Sequence, residues 1–198
     1  MTVTDSKAEI RLEARQHRRV THRRTGRAAS LSVIDVGLTG IGERWGTAPP
    51  GVVAGYLAVG SELDAGPLMS ALEKQGWSLA LPVVIAPDTP LLFRRWQKGD
   101  AMGEGSFGIA HPGEGAAEVR PDVVLAPLLA FDDDGYRLGQ GGGFYDRTLA
   151  MWRAEGHSII TFGLAFASQR IDAVPRDQYD QRLDGIVTEH GWRNYGDV

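Results

Sequence analysis

Residues 137–147 read RLGQGGGFYDR, with four glycines, an arginine at each end, and Phe144 and Tyr145 leading directly into Asp146. Glycine costs a folded segment conformational entropy. A cluster of it therefore answers to positive φ, to close approach of backbone to a ligand, or to plain slackness. A turn of this composition can set several backbone N–H groups around a phosphate without interference from Cβ atoms. Gly142 is the position expected to combine positive φ with closest approach to the ligand. Arg137 and Arg147 would add charge-assisted hydrogen bonds. Asp146 suits the magnesium that accompanies a nucleoside triphosphate, because magnesium takes few carboxylates and keeps its waters. The alternative is a flexible glycine loop that binds nothing.

Familiar phosphate and metal templates do not account for this stretch. A P-loop needs Gly-Lys-Ser/Thr, and no lysine occurs after Lys98. Counting the dinucleotide fingerprint from Gly139 places its third glycine on Phe144. Aligning Gly135 with the turn glycine of a calcium loop puts Ala130 and Gly141 at ligand positions, so Asp132, Asp133 and Asp134 read instead as a solvated turn. The chain has no cysteine, which removes disulfides, thiolate zinc sites and cysteine nucleophiles together. Neither a zincin helix nor a nucleophile-elbow serine occurs.

The elements that must position the glycine stretch are legible as alternating apolar strands and helices. Strands are expected at 52–59, 78–86, 121–131, 157–166 and 185–189, and helices at about 6–24, 63–76 and 145–155. Such alternation implies an α/β fold: one domain over 1–198, with a mostly parallel sheet flanked by helices in a Rossmann-like, three-layer arrangement. The glycine stretch then follows a strand and precedes a helix, at the sheet end where ligands bind in open α/β folds. Residues 26–50 carry scattered glycines and a Pro-Pro break, and 97–121 is a long loop of the kind that forms lids or sites.

Net charge is −4, unevenly spread. Residues 1–27 hold eight basic and three acidic side chains, and the remainder 13 basic and 22 acidic. A basic arm on an acidic body points to a polyanion, either nucleic acid or a nucleotide's phosphates. Lys7, Arg11, Arg15 and Arg18 fall on one helical face, although for the later arginines a solvated face is the competing reading. The N-terminus carries no apolar run fit for a signal peptide, and the most apolar stretches fall short of the roughly 20 residues a membrane helix needs. The expected location is the cytoplasm.

"PDVVLAPLLAFDDDGYRLGQGGGFYDRTL" (121–149) resembles the signature of the 5-formyltetrahydrofolate cyclo-ligase family, also called methenyltetrahydrofolate synthetases. Supporting matches lie in Lys7-x-x-x-Arg11, in "YLAVGSELD" with Glu62, in "FGIAHP" (107–112) and in "VPRDQYDQRLDGIVTE" with Asp180. Gln140 stands where members of the family often have an aromatic or basic residue, and His111 replaces a common glutamate.

The resemblance implies an ATP- and magnesium-dependent ligase. It would cyclise 5-formyltetrahydrofolate to 5,10-methenyltetrahydrofolate through a phosphorylated imidate, releasing ADP and phosphate. By position it implies ATP contacts from Lys7, Arg11, Arg137, Leu138, Gly139, Gln140, Gly141, Gly142, Gly143, Phe144 and Tyr145. Arg137 and Tyr145 would be the catalytic pair and Asp146 and Asp180 the magnesium ligands. Leu57, Glu62, Gln140 and Phe144 would hold the folate, with Glu62 accepting from the N–H groups of its ring. Lys7 and Arg11 would reach one anion from the same helical face. Arg18, Arg19, Arg23 and Arg24, roughly 10–25 Å further along the helix, are expected beyond the nucleotide's reach. The rival is a nucleotide-sensing or RNA-associated module that kept the fold without the chemistry, reading the arginines at 15–27 as a polyanion surface.

Overall fold

The computed structural model describes residues 3–105 and 108–196. Phe107, at the head of the "FGIAHP" match, lies outside them. The described chain runs α1 (Val3–Trp45), β1 (Val52–Ala54), α2 (Gly66–Lys74), β2 (Ser78–Val83), β3 (Leu92–Arg95), β4 (Met102–Gly103) and β5 (His111–Pro112). It continues with β6 (Val123–Pro127), β7 (Ala130–Phe131), β8 (Arg137–Leu138), α3 (Phe144–Ala154), β9 (Ile160–Leu164), β10 (Gly185–Thr188) and β11 (Gly191–Asn194).

Seven strands form one sheet in the order β11-β10-β9-β6-β1-β2-β3. Its five central strands are parallel, and β3 and β11 add antiparallel edges. Numbered by their place in the chain, the parallel strands stand 2-1-3-4-5, the doubly wound order whose switch point lies between the first and third strands. Here those are β1 and β6. A crevice must open at their carboxyl ends, because the chain leaves them toward opposite sides.

Alternation along each strand builds the layers. Val53, Leu79, Val123 and Leu125 pack with Ala29, Val33, Leu68, Met69 and Leu72 beneath α1 and α2. The intervening Ala54, Ala80, Val124 and Ala126 form the other face, where small residues leave room for Phe93, Trp152 and the flank of α3. The expected three-layer α/β fold is the one observed.

Several expected boundaries move. The first helix covers 43 residues rather than about 19. It runs through glycines that look like breakers in the sequence but serve close packing. A Cβ at Gly37 would stand 2.5 Å from a Leu68 methyl carbon, and one at Gly40 would stand 2.9 Å from the Trp192 indole. The expected strand at 52–59 pairs only over Val52–Ala54, after which the chain turns into the crevice. The apolar run at 121–131 divides into β6 and β7, and the long loop contains the β4–β5 hairpin. Asp132 is not solvated. It is buried and accepts backbone N–H groups from Asp134, Tyr136 and Val174, so it fixes the β7–β8 turn and anchors the C-terminal crossing. Asp133 and Asp134 do lie at the surface, paired with Arg170, Arg193 and Arg176.

Candidate active site

A cavity of about 1110 Å³ opens at the β1/β6 switch point. Tyr56, Leu57 and Glu62 wall it beyond β1, Pro127 and Leu128 at the end of β6, and the glycine tract with Phe144, Tyr145 and Asp146 from the β8–α3 side. Lys7, Arg11 and Arg15 reach it from α1, and residues 177–181 close the remaining side. Every residue expected at the site lines this one cavity. They come from segments up to 173 positions apart in the chain.

Within the tract, Gly141 and Gly143 adopt φ of 112° and 65°. Gly143 is the N-cap of α3 and has no side-chain cap, as a glycine there dictates. Gly142 has no positive φ, contrary to expectation. Its glycine requirement is steric, since a Cβ there would stand 2.7 Å from the Phe144 ring. The tract's carbonyls are held from outside. Arg11 Nε donates to Gly139 O at 3.0 Å, Arg15 Nη2 to Gln140 O at 3.4 Å and its Nε to the Gln140 side-chain Oε1 at 3.0 Å, and Arg147 Nη1 to Gly142 O at 2.6 Å. Turning carbonyls toward arginines leaves the amide side of the loop for an anion. Arg147 also binds Asp88 at 2.5 Å, so it braces the loop.

Two of the site's cations, Lys7 and Arg137, are matched by its own carboxylates. Lys7 Nζ lies 2.6 Å from Asp180 Oδ2 and 3.0 Å from Asp177 Oδ2. Burial pulls the Lys7 ammonium down, but the hydrogen bonds and charges of Asp180 and Asp177 outweigh it and hold its pKa above the usual value. Arg137 is 7% exposed, donating to Asp146 Oδ1 at 2.9 Å and to Gln181 O at 2.8 Å. Asp146 Oδ1 also accepts the Gln181 N–H at 3.0 Å. The second oxygen of Asp146, and that of Asp180, have no partner among the described residues. Burial, then the charge of Glu62, pushes the Tyr145 phenol well above its usual range, so it stays a neutral donor.

Glu62 is 9% exposed; Oε2 accepts the Val59 N–H at 2.9 Å, closing the turn after β1. Arg18 stands behind it. Expected outside the site, Arg18 is 4% exposed, and its Nη1 lies 3.7 Å from Glu62 Oε1. Arg15, Arg18, Asp177 and Gln181 are the residues that sequence reasoning missed. For the two arginines the signal was present in their shared face with Lys7 and Arg11. For Asp177 and Gln181 it was absent, because their roles depend on where the C-terminal crossing lands. Arg19, Arg23, Arg24 and Arg27 are exposed and stay off the cavity wall.

The 5-formyltetrahydrofolate cyclo-ligase family model matches residues 3–189. The chain is 37% identical over 141 residues to the 5-formyltetrahydrofolate cyclo-ligase of Haemophilus influenzae, covering 68% of this chain and 74% of that one. It is 35% identical over 151 residues to the Escherichia coli protein of the same name, covering 72% and 82%. The NMR structure of Aquifex aeolicus 5,10-methenyltetrahydrofolate synthetase superposes with a TM-score of 0.77 at 31% identity, over 97% of this chain and 94% of that one. Matched in sequence over most of its length and in fold over nearly all of it, the chain belongs to the 5-formyltetrahydrofolate cyclo-ligase family.

Proposed function

We propose that the protein closes the ring of 5-formyltetrahydrofolate to 5,10-methenyltetrahydrofolate at the expense of ATP. The observation that carries this reading is the meeting, in one cavity, of an anion cradle and a buried carboxylate acceptor. The glycine tract, Lys7, Tyr145 and Glu62 all line it, and Tyr145 lies within electrostatic reach of both Glu62 and Arg137. At about 1110 Å³ the cavity exceeds the roughly 300–1,000 Å³ of ordinary small-molecule sites, as two substrates bound together require.

The chemical task is activation of an amide oxygen. The N5-formyl oxygen attacks the γ-phosphorus, ADP leaves, and the formyl carbon becomes a phosphorylated imidate. N10 then adds to that carbon and loses its proton, and the C–O bond breaks so that phosphate departs with the former formyl oxygen. No protein nucleophile is needed, so the chain's work is alignment and charge neutralisation. The amides of Gly141 to Tyr145 receive the phosphates, and Lys7 and Arg11 neutralise them from α1. Arg137 holds Asp146 in place and, with Tyr145 as a neutral donor, faces the transferring group. Leu57 and Phe144 take the apolar faces of the folate, and Gln140 and Glu62 its polar edges.

Asp146 and Asp180 suit a magnesium ion. Each keeps one carboxylate oxygen unpartnered beside the phosphate cradle, and magnesium characteristically takes one or two carboxylates together with phosphate oxygens and water. No group of three or more His, Cys, Asp or Glu side chains among the described residues is placed to hold a metal ion. When bound, magnesium supplies charge neutralisation across the phosphates.

Two outcomes test the reading. Substrate labelled with heavy oxygen in the formyl group delivers the label to inorganic phosphate; label retained in the folate, or lost to water, contradicts the imidate route. Gly143→Val forces a branched side chain to φ near 65°, a strain of about 1–2 kcal/mol. The expected result is roughly ten-fold weaker ATP binding by titration calorimetry with unchanged folate binding. Wild-type ATP affinity in that variant would remove the cradle from the binding site.

A further inference from the structure

Arg18 is the deeply buried guanidinium of α1, yet it is absent from the cavity wall. Its Nη1 donates to Leu128 O at 2.9 Å, its Nε to Ser61 Oγ at 3.2 Å, and its third neighbour is Glu62 Oε1 at 3.7 Å. Leu128 follows β6, and Ser61 and Glu62 lie on the turn that follows β1. One side chain thus ties α1 to both strands that flank the switch point.

The distance to Glu62 matters. At 3.7 Å the contact is an ion pair and not a hydrogen bond. Oε2 is committed to the Val59 N–H, whereas Oε1 has no hydrogen-bond donor among the described residues. A nearly buried carboxylate oxygen, held charged at the wall of a large cavity with its acceptor capacity unspent, calls for a donor from a ligand.

We propose that Arg18 is the positioning residue of the folate pocket, holding the Glu62 carboxylate ionised and in place as acceptor for the N–H groups of the bound ring while touching neither substrate. This inference rests on the cyclo-ligase reading of the site. The ionisable groups facing Glu62 are Arg18 from α1, Tyr56 from the segment after β1 and Tyr145 from α3. Burial, reinforced by the charge of Glu62, pushes both phenols up, so they stay neutral, and Tyr56 is further engaged by donating to Leu63 O at 2.6 Å. Arg18 is the cation of the set. Burial raises the Glu62 pKa above the usual carboxylate value, and the Val59 N–H and Arg18 oppose that rise. A raised carboxylate pKa means that acceptor strength is full above it and lost as pH falls through it. Removing Arg18 moves that loss to higher pH.

The test compares wild type, Arg18→Met, Arg18→Lys and Glu62→Gln, measuring KM for 5-formyltetrahydrofolate, KM for Mg-ATP and kcat from acid to mildly alkaline pH. In Arg18→Met the folate KM at neutral pH rises roughly ten-fold, and the acid limb of 1/KM for folate moves up by about one pH unit. Its ATP KM and its kcat at saturating folate stay near wild type. Arg18→Lys recovers most of the folate affinity. Glu62→Gln loses affinity and also loses the acid limb. A merely structural Arg18 would raise both KM values together and leave the limb in place. That pattern, or a wild-type folate profile in Arg18→Met, overturns the proposal. If circular dichroism shows Arg18→Met unfolded, the other two variants decide: a Glu62→Gln enzyme with the wild-type acid limb, or an Arg18→Lys enzyme with an unshifted limb and both KM values raised, overturns it. Wild-type protein that turns over no folate refutes the cyclo-ligase reading itself, a failure distinct from any difference among the variants.

Discussion

Asp146→Asn lowers kcat by roughly 100-fold or more, the scale set by removing one preorganised electrostatic contact from a reacting phosphate. Two roles are lost with the charge. Asp146 is the counter-ion of Arg137, whose side chain is 3% exposed, and its free oxygen is the proposed seat of magnesium. Asparagine keeps an acceptor for the Gln181 N–H and for Arg137, so the turn and the start of α3 stay in place. The charge alone disappears. The magnesium concentration giving half-maximal rate therefore rises while the circular dichroism spectrum does not change. Asp180→Asn moves both readouts in the same direction. Wild-type turnover and metal dependence in both variants would show that neither carboxylate serves the metal.

The double change Lys7→Ala/Arg11→Ala raises the KM for ATP by roughly hundred-fold or more, since each hydrogen bond to a charged group contributes about 1.5–3 kcal/mol and two are removed. The two residues lie one helical turn apart and face the same part of the cavity. They act differently. Lys7 is shared between Asp177 and Asp180, so its removal leaves two carboxylates facing the incoming phosphates without a cation. Arg11 holds the Gly139 carbonyl away from them. Replacing the exposed Arg19, Arg23 and Arg24 leaves the ATP KM unchanged. Steady-state kinetics on the two variant sets reads this out. An unaffected KM in the Lys7/Arg11 variant, with RNA binding lost on replacing the exposed arginines, would make α1 a nucleic-acid arm.

The order of the five parallel strands and three helices, and the glycine stretch between β8 and α3, were legible because both signals are local, whereas the antiparallel edges β3 and β11 and the short hairpins were not foreseen. Apolar runs of strand length and a glycine-rich turn ahead of a helix announce themselves within a dozen residues. What failed was what depends on a distant partner. Gly37 and Gly40 look like helix breakers until Leu68 and Trp192 are brought against them. Asp132 looks like a surface acid until three backbone N–H groups converge on it. Arg18 looks like its neighbour Arg19, and only the position of the Glu62 turn separates the buried one from the exposed one. Gly142 illustrates a subtler limit. Its identity as a required glycine was legible, but the reason was not, because the clash comes from the Phe144 ring and not from its own backbone angle.

In the proposed reaction, one cavity aligns a nucleotide with a formyl-folate and couples their conversion. The most direct test mixes purified protein, 5-formyltetrahydrofolate and Mg-ATP, following the absorbance of the methenyl product alongside released ADP. Both products are expected to appear together in equal amounts, and neither when either substrate is withheld. ADP release without folate, or no methenyl product with both substrates present, would contradict that coupling.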